Sequence, residues 1–139
     1  METETYKMSK IHKQSEGNET QPEVTRLVQQ YFDLLYTSDL ELFDRVFDDQ
    51  AQLYGLADGA PVVWPAAKYR AIIKGRESPQ AQGARREEEI LELDFASATQ
   101  AFAKVRVRIN NMVFIDYLTA LKLTKGWRVV SKTYHLLQD

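Results

Sequence analysis

At 139 residues, with 44% hydrophobic and 27% charged side chains, the chain has the size and composition of one soluble globular domain able to bury a substantial core. A formal net charge of −2 leaves no global field to draw it onto nucleic acid or an anionic membrane. The lack of cysteine excludes disulfides, thiolate metal sites and a cysteine nucleophile, and no apolar run approaches the ~20 residues that a membrane-spanning helix needs.

The first stretch, METETYKMSKIHKQ, has no apolar core of the kind a secretory signal carries, so the expectation is a cytoplasmic protein. Residues 1–21 hold only Tyr6, Met8 and Ile11 as sizeable apolar side chains. That is too little surface to offset the entropy of ordering them, and the segment reads as a flexible tail before a single domain at residues 22–139. A lead-in helix packed on a partner is the alternative. Pro22 suits the first position of a helix. Val24, Leu27, Val28, Tyr31, Leu34 and Leu35 then form an apolar stripe that carries the helix to about Thr37. Ser38-Asp-Leu-Glu41 has the spacing of a capping box, which predicts a short second helix over residues 39–47 with Leu40, Phe43, Val46 and Phe47 inward.

Residues 51–56 and 60–64 read as two strands joined by a tight Asp58-Gly59 turn. Pro65 opens a third helix with Tyr69, Ile72 and Ile73 inward and Gly75 as a left-handed stop. Residues 76–83 read as a loop, and the charge run Arg85-Arg86-Glu87-Glu88-Glu89 as the solvated start of a strand that continues over Ile90–Phe95. The rest alternates apolar with polar or small residues in three pieces, AFAKVRVRI, MVFIDYLTALKL and WRVVSKTYHLL, as an antiparallel meander does. A two-residue turn at Asn110-Asn111 sets Val105 opposite Asp116 and Val107 opposite Phe114. A three-residue loop at Thr124-Lys125-Gly126 sets Leu123 opposite Trp127, Leu121 opposite Val129, Tyr117 opposite Thr133 and Asp116 opposite Tyr134. One face then collects Ala103, Val105, Val107, Phe114, Leu118, Val130, Tyr134 and Leu136, with Asp116 alone among them. Phe102, Lys104, Arg106, Arg108, Tyr117, Thr119, Thr133 and His135 share the other. Both faces carry large side chains, which suggests cover by the helices on one side and by a second subunit on the other.

This order of elements, with YFDLLYTSDLELFDRVFDDQAQLYGLADG early and DYLTALKLTKGWRVVSKTYH late, resembles the nuclear transport factor 2-like superfamily, and within it the SnoaL-like and putative lumazine-binding branch. The resemblance runs from about Pro22 to the C-terminus. It implies an α+β fold in which a cone-shaped curved antiparallel sheet wraps around N-terminal helices and encloses a deep apolar pocket. It also implies a homodimer through the open sheet face, and a range of functions from isomerases, dehydratases and cyclases to proteins without known activity. Ketosteroid-isomerase-like relatives carry a tyrosine donor on the first helix, which Tyr31 matches. Their carboxylate base lies in the strand matching AQLYGLADG, where this chain has Tyr54 and Gly55, so isomerase chemistry by that route lacks its base.

The chemistry-bearing residues are few. Asp116, on a face otherwise apolar, is the candidate catalytic acid or base, and a structural hydrogen bond to Tyr134 or a pair with Lys132 is its plainer role. His135 can move protons if it faces a cavity. Tyr31, Tyr54, Trp64 and Tyr134, with His135, are the candidate ligand-binding residues, although aromatics so spaced also serve as core. Lys104, Arg106 and Arg108 alternate on one strand face, as a solvated or interface face does. No glycine-rich phosphate loop, serine elbow or set of converging metal ligands occurs, and neither a metal nor a cofactor is expected. The residues point to a domain that binds a small hydrophobic or aromatic molecule in an apolar pocket, with acid–base chemistry of an isomerase, cyclase or dehydratase kind as its extension. The alternative is a non-catalytic dimeric assembly module. Neither nucleic acid nor membrane is an expected partner, and whether the chain is an enzyme is not fixed by its residues.

Overall fold

In the computed structural model the apolar stripe of the first helix is the spine of the core: α1 (Thr20–Thr37) buries Val24, Leu27, Val28, Tyr31, Phe32, Leu34 and Leu35. The structure describes residues 11–13 and 20–138, so most of the expected tail lies outside the described residues. Within that segment β1 (Ile11–Lys13) is a strand the sequence reading did not anticipate; it pairs in parallel with Leu93–Phe95. α1 starts at Thr20 rather than Pro22.

α2 (Leu40–Val46) follows after a sharp turn, and here the expected capping box is corrected by one residue. Ser38 takes a left-handed φ of 60°, and its Oγ is buried without a hydrogen-bond partner among the described residues. Asp39 is the cap, accepting from the Glu41 amide at 2.9 Å. A serine in that left-handed conformation cannot present its hydroxyl to the next turn, while a short carboxylate one residue later can.

β2 (Phe47–Ala57) and β3 (Ala60–Pro65) form the expected hairpin, with Asp58 and Gly59 both at positive φ in the tight turn. α3 (Ala66–Gly75) buries Tyr69 and Ile73. Gly75 is not a left-handed stop. The helix ends in extended backbone at Arg76, whose amide donates to the Ile73 carbonyl. The loop after it is pinned to the end of α1: Gln80 donates to the Tyr36 carbonyl at 3.0 Å, and the Tyr36 hydroxyl to Ala84 at 2.8 Å.

β4 (Glu88–Ser97), β5 (Gln100–Ile109), β6 (Met112–Leu123) and β7 (Gly126–Gln138) complete a seven-stranded sheet in the order β1-β4-β5-β6-β7-β2-β3. The predicted β5–β6 register is found, with Val105 opposite Asp116 and Val107 opposite Phe114. The β6–β7 register is found at Asp116–Tyr134 and Tyr117–Thr133 but not nearer the turn. There Leu123 faces Gly126 and Ala120 faces Val129, because Thr124-Lys125 makes a two-residue turn and an irregularity at Val130 restores the register. That extra residue turns Trp127 and Val129 into the core, where the sequence reading had placed Val130.

The charge run is also more than a solvated strand start. Arg86 pairs with Asp33 and Glu88 and lies over the Tyr36 ring, while Arg108 reaches Glu87 at 2.7 Å and Arg106 reaches Glu89 at 2.9 Å. The bent sheet folds over α1, and the core lies between them, an α+β cone. No helix among the described residues is long and apolar enough to cross a membrane.

Candidate functional site

The face of the meander that packs on the helices is apolar except at two neighbouring positions, Asp116 on β6 and Lys132 on β7. Strand alternation puts Asp116 and Leu118 on one face, and Leu118 is paired with Lys132. The two charges are therefore diagonal cross-strand neighbours. Asp116 is 1% exposed and Lys132 5%.

Two helices supply the rest. Tyr31, fully buried on α1, donates its hydroxyl proton to Asp116 Oδ2 at 2.5 Å. Lys132 Nζ donates to the Tyr69 hydroxyl of α3 at 3.1 Å and stands 3.8 Å from Asp116 Oδ2. The same ammonium lies 5.1 Å from the centre of the Tyr31 ring and 4.9 Å from that of Tyr69, so both phenol rings help to stabilise its charge. Burial, and then the negative charge of Asp116, holds the Tyr31 phenol well above its ordinary pKa. Burial works to lower the pKa of Lys132, but the Asp116 carboxylate and Tyr69 outweigh it, and the ammonium sits above its ordinary value. Tyr31 thus stays a proton donor and Lys132 a cation at neutral pH.

Two sets of polar atoms in this region are left over. Asp116 Oδ1 is buried and accepts no hydrogen bond from the described residues. Arg76 stands directly after α3, in extended backbone, and its Nε and Nη2 are buried without a hydrogen-bond partner among the described residues. Its charge is close enough to draw the pKa of both Tyr31 and Lys132 downward, against the larger effects named above.

The six residues singled out from the sequence divide between the two faces. Tyr31 and Asp116 are in direct contact. Tyr134 shares their sheet face but stands half-buried over Gly55 and edge-on to Phe114 at 6.2 Å. Trp64 borders the cluster, its ring stacked on Tyr69 at 6.3 Å. Tyr54 is 41% exposed and pairs with Thr133; His135 is exposed and pairs with Ile115. Both belong to the outer face and do not join Asp116. Of the other members, Lys132 is the partner that the plainer reading of Asp116 named, and Tyr69 was expected inward on the third helix as a possible pocket aromatic; Arg76 was not anticipated. The helix–sheet contact that brings Tyr69 and Arg76 there has no local signal. Among the described residues no cluster of histidine, cysteine or acidic side chains is placed to hold a metal. A separate cleft of about 260 Å³, bordered by Arg26, Arg45, Lys122, Trp127 and Arg128, includes neither Tyr31 nor Asp116.

With this geometry in hand, comparison with known proteins places the chain. Residues 19–135 match the family described as Putative lumazine-binding. The chain belongs to that family. Its fold is that of the nuclear transport factor 2-like superfamily. An NTF-2 like protein of unknown function from Silicibacter pomeroyi superposes with a TM-score of 0.75 at 23% identity, covering 85% of this chain and 96% of that one. One from Shewanella baltica, also of unknown function, reaches 0.79 at 21% identity, covering 91% and 100%. A ketosteroid isomerase-like protein from Erwinia carotovora reaches 0.68 at 13%, covering 88% and 99%. At such identities these likenesses concern the fold alone. No curated protein matches the sequence. In this member of the family the strand after α2 carries the exposed Tyr54 and the half-buried Gly55, with the Tyr134 ring against the glycine.

Proposed function

We propose that the chain binds a small hydrophobic or aromatic molecule at the Tyr31–Asp116–Lys132–Tyr69 set, and that Asp116 exchanges a proton or hydrogen bond with it. The observation that carries this reading is Asp116 Oδ1, a buried carboxylate oxygen with no donor among the described residues. Leaving such an atom unsatisfied costs about 1–3 kcal/mol or more, and a ligand N–H or O–H would relieve it. Tyr31, held protonated, fixes the other oxygen, and Lys132 stands beside the carboxylate as its counter-charge. Tyr31 and Trp64 are the ring-facing residues, with Tyr134 at the margin. The family's description supports an aromatic heterocycle such as lumazine as the first compound to test. The protein's place in the cytoplasm and the single domain over residues 22–139 belong to the same proposal.

The test is a titration of wild-type protein and Asp116→Asn with lumazine and a panel of small aromatics, followed by tryptophan fluorescence. Saturable binding in the wild type that weakens at least about tenfold in the variant supports the reading. If Asp116→Asn does not fold, the charge-matched Asp116→Asn/Lys132→Met variant replaces it. Equal binding to both proteins would remove Asp116 from the site.

A second reading has an observation of its own. Tyr54, Val63 and Tyr117 lie 41%, 51% and 46% exposed, and register and alternation place Tyr54 and Val63 on the sheet face turned away from the helices. An assembly module that dimerises through this face would cover them. Sedimentation of wild type against Tyr117→Asp checks it: a dimer that the substitution dissociates supports the interface, and a monomer in both removes it.

A further inference from the structure

The charges around Asp116 do not balance. Two cations, Arg76 and Lys132, act on the two phenols and one carboxylate. Lys132 is answered by Asp116 at 3.8 Å and by Tyr69 at 3.1 Å. The Nε and Nη2 atoms of Arg76 are answered by nothing among the described residues, although both are buried.

These two atoms lie on one edge of the guanidinium and point the same way, the geometry that receives the two oxygens of a carboxylate side by side. The same chain shows that edge in use. Arg70, on the exposed side of α3, donates from Nε to Asp44 Oδ1 at 2.8 Å and from Nη2 to Asp44 Oδ2 at 2.9 Å. Arg70 makes this fork at the surface, where it contributes little. Arg76 is half-buried as a residue, but its Nε and Nη2 offer the fork from buried positions, where unanswered donors are costly.

We infer that the molecule bound at this site carries a carboxylate, received by the Nε–Nη2 edge of Arg76 with Lys132 as the second cation, so that the ligand class is a flat aromatic acid. This rests on the proposal that the Asp116 region binds a small molecule and adds the charge of that molecule. It also gives the cluster a chemical order. The cations hold the acid group, the Tyr31 and Tyr69 rings flank the ammonium, and Asp116 Oδ1 remains to accept a proton from the ligand.

The experiment compares two isosteric pairs, benzoate with benzamide and 2-naphthoate with 2-naphthamide, by calorimetric titration of wild-type protein, Arg76→Gln and Arg76→Lys. The expected result is that each acid binds at least about tenfold tighter than its amide, that Arg76→Gln abolishes the preference, and that Arg76→Lys, which keeps the charge but not the fork, retains only part of it. Arg76→Gln should also melt no lower than wild type in the absence of ligand, because the guanidinium edge it removes bonds to no described residue. Acid and amide binding equally would overturn the inference while leaving the small-molecule reading in place. An undiminished acid preference in Arg76→Gln would overturn it too. Binding of neither member of either pair would count against both proposals.

Discussion

Asp116 and Lys132 show how much a single residue's surroundings decide. Removing either partner of a buried pair leaves the other charge unmatched, typically at about 3–5 kcal/mol, while removing both together costs far less. Asp116→Asn and Lys132→Met are each expected to destabilise the chain by roughly that amount, and the double variant by clearly less than their sum, measured by urea unfolding. The pH dependence has a definite sign. Tyr31 and Lys132 both have folded pKa values above their unfolded ones. Their contribution is complete below about pH 10 and is lost as pH rises through the folded values, where the unfolded chain has already released its protons. Stability measured against pH should fall steeply on the alkaline side. Tyr31→Phe should make that fall shallower and cost about 1–3 kcal/mol at neutral pH, because Asp116 Oδ2 loses its donor. An alkaline limb unchanged by either Tyr31→Phe or Lys132→Met would contradict the assignment. At this scale the sequence was half legible. Asp116 broke an apolar alternation and could be seen, and Lys132 broke the same alternation. The pattern of α3 turned Tyr69 inward, but that it meets Lys132, and that Arg76 follows beside it, depends on how α3 packs across the sheet.

At the scale of elements, local rules located nearly every helix and strand apart from β1, and the errors in the α2 cap and the β6–β7 turn trace to backbone geometry. The cap of α2 is Asp39 because Ser38 is left-handed. Asp39→Ala is therefore expected to cost about 1 kcal/mol, and Ser38→Gly to be neutral or stabilising by a few tenths, in the same unfolding assay. The reverse ranking would restore the serine as cap. The β6–β7 register near the turn shifted because the loop holds two residues rather than three and β7 carries an extra one at Val130. Periodicity of two cannot show such an insertion, since each side of it is regular by itself. Gly55 has a different reason for being glycine, as a Cβ there would stand 2.4 Å from Cζ of Tyr134. Gly55→Ala should cost about 1 kcal/mol, the low end for an added methyl because the half-buried ring can swing outward. The penalty should vanish in a Tyr134→Ala background.

At the scale of the whole molecule, a sheet bent over α1 has one face committed to the core and the other open. The outer-face residues Tyr54, Tyr117 and His135 lie away from Asp116, which separates the proposed assembly surface from the proposed ligand site in space. The two can therefore be tested independently: Tyr117→Asp should alter the oligomeric state and leave aromatic ligand binding within about twofold of wild type, a small difference in free energy. The cone and the membership of its family were readable from the order of elements and the motif DYLTALKLTKGWRVVSKTYH. What the interior holds was not, because identity below the level that carries function leaves the lining of the cone to the particular chain. The central claim is that the buried polar set around Asp116 is a ligand site. It is met most directly by native mass spectrometry of freshly purified protein, and of the same protein after incubation with lumazine or 2-naphthoate, against the denatured mass. A non-covalent mass of a few hundred daltons or less that disappears on denaturation, and that Asp116→Asn/Lys132→Met does not retain, is the predicted result. The bare mass under every condition, or equal retention by the variant, would contradict it.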